Sequence, residues 1–283
     1  MAIVQIPYNK IIKTNGDWQL VSPSLDKNDC CYLDFSDIPW AMTPAVFTSC
    51  PFKDYIIRDS NALAVFLVGS NQTGTTRERS DYDIMVFTNE SADVSKPTYK
   101  MIYGGHGLHW FYKSAYLLKS VDDVIHLKPL LISYLLSLYY IKPEHLLYVA
   151  DNDTARTFAN NLLKQGKDIS LTLCDLYCKW MQQNGRFEAV IKPDFDLSRL
   201  SKCSWFKYFA PAIMNNEDID LGLITRMKSI RYNGLSETDT TVFRTTINSY
   251  LANNKIPAKA TVTKLEKKIV TLWEELFDTT NKE

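Results

Sequence analysis

The chain has 283 residues, 46% of them hydrophobic and 12% aromatic, enough to bury a sizeable core in one large or two modest domains. Lysine plus arginine and aspartate plus glutamate both number 32, so no global positive field draws nucleic acid or anionic membrane to it. Six cysteines (Cys30, Cys31, Cys50, Cys174, Cys178, Cys203) lack the density of a disulfide scaffold and the paired spacing of a zinc site, and the N-terminus lacks a secretory pattern, so a globular cytoplasmic protein is expected.

Residues 1–50 are interrupted by Pro7, Gly16, Pro23, Pro39 and Pro44, and are expected to form an N-terminal arm or irregular cover. A short helix is predicted between Pro51 and Asn61, with Pro51 near its first turn, where a missing N–H costs nothing. Ala62 to Val68 is continuously apolar, the mark of a strand buried on both faces. The turn formers Gly69 to Thr76 and the polar stretch Arg77 to Ser80 then lead into a second strand, Asp81 to Phe87. Thr98–Tyr103 and Leu108–Tyr112, around Gly104-Gly105-His106-Gly107, predict a hairpin.

Ser120-Val121-Asp122-Asp123 has the spacing of a helix capping box and opens a run through Leu130, Leu131, Leu135 and Leu136. The richest apolar segment, Pro129 to Ile141, is shorter than the roughly 20 residues of a membrane span and reads as a buried helix; no membrane partner is expected. Cys174 and Cys178, four apart in an apolar-periodic stretch, are expected as buried free thiols. His126 and His145 lie on helical segments and are expected to be satisfied or exposed. Ser236-Glu237-Thr238-Asp239 and Thr263-Lys264-Leu265-Glu266 repeat the capping pattern, beside apolar stripes through Phe243 and Ile247 and through Val262, Ile269 and Trp273. Between Arg226 and Lys268, nine basic residues face three acids, so this helical portion is basic and the remainder acidic. The organisation expected is a cover at 1–50, a mixed α+β core at 51–123 and a helical domain at 124–283.

The chemistry concentrates at one place. Asp81 and Asp83, two apart in a strand, leave by the same face, while Tyr82 faces away. Such a pair can hold Mg²⁺ or Mn²⁺ and through it bridge the phosphates of a nucleoside triphosphate. Gly69 lets phosphate approach the backbone closely, and the Ser70 hydroxyl adds a donor. Arg77 and Arg79 lie close enough in sequence to reach phosphate, and Lys228 and Arg231, in the basic portion, could close over it. No P-loop and no Gly-x-Ser-x-Gly element is present.

Gly69-Ser70, a short polar connection, then Asp81-Tyr82-Asp83 resembles the signature of the DNA polymerase beta-like nucleotidyltransferase superfamily; Gly74 and Ser80 give it the look of the compact branch of bacteria and their phages. The resemblance covers residues 55–112. It implies a small mixed sheet with flanking helices, two catalytic metal ions, and transfer of a nucleoside monophosphate with release of pyrophosphate. The acceptor hydroxyl stays open among an RNA end, a protein and a small molecule. In the superfamily a third carboxylate usually stands on a neighbouring strand. The corresponding segment here, Leu108 to Tyr112, contains no acid, and His109 could serve there as ligand or base. Asp122 and Asp123 are the next acids downstream, and helix capping already accounts for them. The absent acid also leaves room for a nucleotide-binding or protein-interaction module that keeps the fold without turnover.

Overall fold

The computed structural model describes residues 10–14, 17–21, 31–32, 42–49, 53–57, 61–74, 82–89, 99–103, 106–126, 135–194 and 236–280. The chain divides into two compact units: residues 1–117 with 141–163 and 276–283, and residues 118–140 with 164–275. The fold class is α+β, as the sequence pattern predicts.

The first unit is built on strands β1 (Lys10–Thr14), β2 (Asp17–Val21), β3 (Cys31–Tyr32), β4 (Ala62–Val68), β5 (Tyr82–Thr88), β6 (Tyr99–Tyr103), β7 (His106–Ser114) and β8 (Leu146–Val149). The segment expected as an arm or irregular cover thus carries regular structure. β1 and β2 pair antiparallel with Thr14 opposite Asp17, so only Asn15-Gly16 separates them. Asn-Gly is the strongest short-range hairpin signal, and the hairpin is legible there despite the scattered prolines.

The other six strands form one mixed sheet in the order β3-β6-β7-β5-β4-β8. The predicted hairpin is present: β6 and β7 pair antiparallel, with Tyr103 opposite His106. β7 runs parallel to β5, and β5 antiparallel to β4. All seven residues of β4 are buried, because both faces of the sheet are covered there. On one face Val65, Leu67, Tyr82, Ile84, Val86 and Trp110 pack with Met42, Val46, Phe47 and Ile56, from the region of helices α1 (Pro44–Ser49) and α2 (Lys53–Ile56). The opposite face carries an aromatic chain. Phe66 meets Phe87 edge-on at 6.0 Å, Phe87 meets Phe158 at 5.1 Å, and Phe158 meets Phe277, which stacks on Tyr116 at 4.5 Å. Asn161 ties the C-terminal segment down by donating from Nδ2 to the carbonyls of Leu276 (3.2 Å) and Asp278 (3.0 Å). The sheet also includes one short helix, α3 (Gly69–Thr73), at the end of β4.

In the second unit, α4 (Val121–Ile125) starts at the predicted capping box: the Asp123 N–H donates to Ser120 Oγ, and Asp123 Oδ2 accepts from the Ser120 N–H at 2.7 Å. Of the apolar run expected to follow, Leu135, Leu136 and a 3₁₀ turn at Ser137–Tyr140 are described, and Leu130 and Leu131 lie outside the described residues. Helix α5 (Asp153–Gln183) contributes residues to both units. Within the second unit its Ser170 hydroxyl donates to the Leu136 carbonyl and its Tyr177 hydroxyl to the Val124 carbonyl. Cys174 and Cys178 are buried free thiols, as expected, and burial pushes both thiols up, which leaves them unreactive. His145, in a 3₁₀ turn of the first unit, is buried and accepts at Nδ1 from the Lys142 N–H.

The other helices described in the second unit are α6 (Arg186–Ile191), α7 (Glu237–Asn253) and α8 (Lys259–Glu274). Ser236 caps α7 as its sequence predicts, accepting from the Asp239 N–H at 3.0 Å. The pattern at Thr263 misleads. α8 begins four residues earlier, after Pro257, so Thr263 to Glu266 is interior helix rather than a start. Its Glu266 falls on the buried stripe between Val262 and Ile269, and burial together with the Asp122 carboxylate raises its carboxyl above the usual range.

Two stability outcomes are expected. Phe87 is fully buried, so Phe87→Ala should cost ~3–5 kcal/mol in a denaturant titration. Glu266 has a folded pKa above its unfolded one, so the stability it contributes is present at low pH and is lost as pH rises through the folded value. Glu266→Gln should therefore raise the thermal midpoint near pH 7 and flatten the pH dependence above ~pH 4.3, the unperturbed glutamate value.

Candidate active site

The site grows from the register of two strands. Buried pairs Leu67–Ile84 and Phe66–Met85 lock β4 against β5, and the next pair along is Val68–Asp83. Alternation puts Tyr82 and Ile84 into the apolar cluster and Asp83 on the other face, where it is half-buried. Burial of Tyr82 also raises its phenol above the ordinary value. Tyr82 therefore faces away from Asp83, as predicted.

At the end of β4 the chain turns directly from extended backbone at Val68 (φ −133°) into α3, through Gly69 at φ +76°. That conformation costs a side-chain-bearing residue ~1–2 kcal/mol. Space forbids a side chain as well. A Cβ built on Gly69 would lie 2.5 Å from Asp83 Oδ2 and 3.2 Å from Asp83 Cβ, so the carboxylate occupies the place where any other residue would put its first carbon.

The turn is held from within. Thr73 Oγ1 donates to the carbonyls of Gly69 (3.2 Å) and Ser70 (3.4 Å), and Gly74, at φ +69°, closes it by donating its N–H to the Ser70 carbonyl. Ser70 itself is half-buried. Gln72, in the middle of the turn, is 6% exposed, and neither its Nε2 nor its Oε1 has a hydrogen-bond partner. An amide left so costs about 1–3 kcal/mol. Nothing in the residues around it singles Gln72 out, because a polar residue in a turn-forming stretch reads as solvated.

The backbone row continues past Asp83: His109 of β7 is its partner in register, and Lys100 of β6 pairs in turn with His109. The structure thus brings Gly69, Ser70 and Asp83 together and sets His109 on the strand beside Asp83. Asp81, Arg77, Arg79, Lys228 and Arg231 lie outside the described residues. Asp123 is spent on the α4 capping box, and Asp122 is exposed on that helix. Among the described residues no group of three or more His, Cys, Asp or Glu side chains is arranged to hold a metal ion, and no helix is long and apolar enough to cross a membrane. The donor at hand is a half-buried carboxylate, a hard oxygen ligand packed against the Gly69 backbone. It fits Mg²⁺ or Mn²⁺ better than a soft, thiolate-seeking metal.

Residues 51–132 match the model of the family described as Nucleotidyltransferase domain, a match that begins at the predicted α2 helix and takes in β4 to β7. The match is consistent with the DNA polymerase beta-like superfamily that the Gly-Ser and Asp-Tyr-Asp elements resemble. No curated protein matches the chain.

The two left-handed glycines separate strain from collision, because a Cβ on Gly74 would meet nothing within 4 Å. Gly74→Ala should cost ~1–2 kcal/mol, and Gly69→Ala should cost ~1–3 kcal/mol more. Adding Asp83→Ala to Gly69→Ala should recover part of the excess but none of the Gly74→Ala loss, a coupling readable in a double-mutant cycle by denaturant unfolding.

Proposed function

We propose that the protein transfers a nucleoside monophosphate from a nucleoside triphosphate, ATP being the first to assay, to a hydroxyl acceptor and releases pyrophosphate. The observation that carries this reading is the contact between Gly69 and Asp83: a carboxylate packed so closely on a positive-φ glycine turn that no Cβ fits between them. Such an arrangement puts an acidic ligand next to the main chain of the Gly-Ser turn. A nucleotidyltransferase domain spanning the same residues supports it.

In this reading Asp81 and Asp83 hold Mg²⁺ or Mn²⁺, which when bound neutralises phosphate charge and acidifies the acceptor hydroxyl. Gly69 admits the phosphates to the backbone, and Ser70 donates its hydroxyl to a phosphate oxygen. Arg77, Arg79, Lys228 and Arg231 counter the remaining negative charge. His109, in register with Asp83, stands where a third acid would be expected and takes the proton of the acceptor as a neutral imidazole. The acceptor is an RNA end, a protein or a small molecule, and the buried thiols of Cys174 and Cys178 suit a reducing cytoplasm. Ancestry in the compact branch of bacteria and their phages belongs to the same proposal.

The test is label transfer from α-labelled nucleoside triphosphates in the presence of Mg²⁺ or Mn²⁺ and mixed RNA, protein and small-molecule acceptors. Transfer should require the metal and fall by about two orders of magnitude or more in Asp81→Ala and Asp83→Ala, with both variants folded. His109→Ala should lower turnover while leaving nucleotide affinity little changed. Nucleotide binding without metal-dependent transfer would refute the enzymatic reading.

A further inference from the structure

Gln72 has no role in the chemistry proposed above, yet it sits inside the turn on which that chemistry depends. Three residues after Gly69, it lies on the same face of α3 as the glycine that abuts Asp83. Both ends of its carboxamide are buried without partners. Two other glutamines differ: for half-buried Gln165 and buried Gln182 Oε1 is the one buried atom without a partner, and Gln182 Nε2 donates to the Asn254 carbonyl at 2.6 Å. Methionine or leucine would fill a similar volume in α3 without an unmet hydrogen-bonding demand. As far as the ligand-free fold is concerned, the amide is a liability.

α3 is also a segment that can change. It has five residues, and within it the Thr73 hydroxyl and the Gly74 N–H donate to two of its carbonyls. It packs on β4 and β5, whose register is fixed by buried pairs on both faces. A one-residue shift of the strands would invert every buried side chain on them, whereas α3 is a single short turn at their end. A carboxamide brings two donors and an acceptor, so it can bond at once to a phosphate or its hydration shell and to a backbone group of the turn. Only an interaction made in one state and not in the other shifts an equilibrium toward that state.

We propose that Gln72 is a positioning residue for nucleotide: its carboxamide is unsatisfied in the ligand-free chain and gains partners when the Gly69–Ser70 turn closes on a triphosphate, holding the turn in its bound form. The inference rests on the nucleotidyltransferase reading and adds a residue to it.

The full chain is compared with Gln72→Met and Gln72→Leu by thermal unfolding without ligand, and by titration with each of the four ribonucleoside triphosphates in Mn²⁺. The expected result is a raised unfolding midpoint in both variants, with affinity for the bound triphosphate about tenfold weaker and turnover at saturation changed less than about threefold. Gln72→Glu, which keeps an acceptor and loses the donors, should bind as weakly as Gln72→Met. Lowered midpoints in both apolar variants would show an amide already satisfied by the fold, and raised midpoints with unchanged affinity would show a mere packing defect; either overturns the inference. A wild-type chain that binds no triphosphate removes this inference and the proposed function together, whereas wild-type binding matched by Gln72→Met removes this inference alone.

Discussion

Between the α-carbon of Gly69 and the carboxylate of Asp83 there is no room for a methyl group. This exclusion joins the two halves of the site. A strand must end, reverse into a helical turn at positive φ, and do so against the side chain of its neighbour. Glycine answers both demands, and the close approach in turn sets the aspartate against the main chain of the turn. Everything proposed for the chemistry depends on that adjacency, because a carboxylate even one residue away along β5 would face the apolar cluster instead.

The adjacency is secured at a distance by hydrophobic burial. β4 and β5 are covered on one side by residues of the α1–α2 region and on the other by the chain of aromatic rings from Phe66 to Tyr116. A slip of one residue would invert every side chain of the strand, moving Tyr82 or Ile84 out of the core and burying Asp83. Register is therefore one of the most strongly specified features of this unit, and the polar end of β5 inherits its position from the apolar middle. The strands and the short α3 turn have different tasks: the strands fix where the carboxylate is, and the turn sets the glycine backbone against it. Gln72, a buried amide that the core has not satisfied, belongs to the turn.

The helical unit follows more local rules. Ser120 and Ser236 start their helices by the same side-chain-to-backbone bond, and apolar residues at helical spacing make the buried stripes of α7 and α8. Thr263 shows the limit of such rules. Its Ser/Thr-x-x-Glu spacing is a starting signal only if the chain ahead of it is not already helical, and here a turn of helix after Pro257 precedes it. The glutamate that might have capped a helix end lies instead on a buried stripe, with its carboxyl raised by the loss of water.

Much of this was legible in the residues taken one after another. Local periodicity and turn chemistry identify the doubly buried strand at Ala62–Val68, the glycine bend, the carboxylate strand, the β6–β7 hairpin and two of the helix caps, because each depends on neighbours within a few positions. The β1–β2 hairpin was equally available in Asn15-Gly16 and was obscured by the prolines around it. What no local pattern contains is the pairing of distant segments: that Val68 faces Asp83, that His109 stands in register with it, and that the middle of a polar turn is buried deeply enough to orphan Gln72. These follow from how strands far apart in the chain share one sheet and bury both its faces, a long-range packing outcome for which the sequence supplies the parts but not the distances between them.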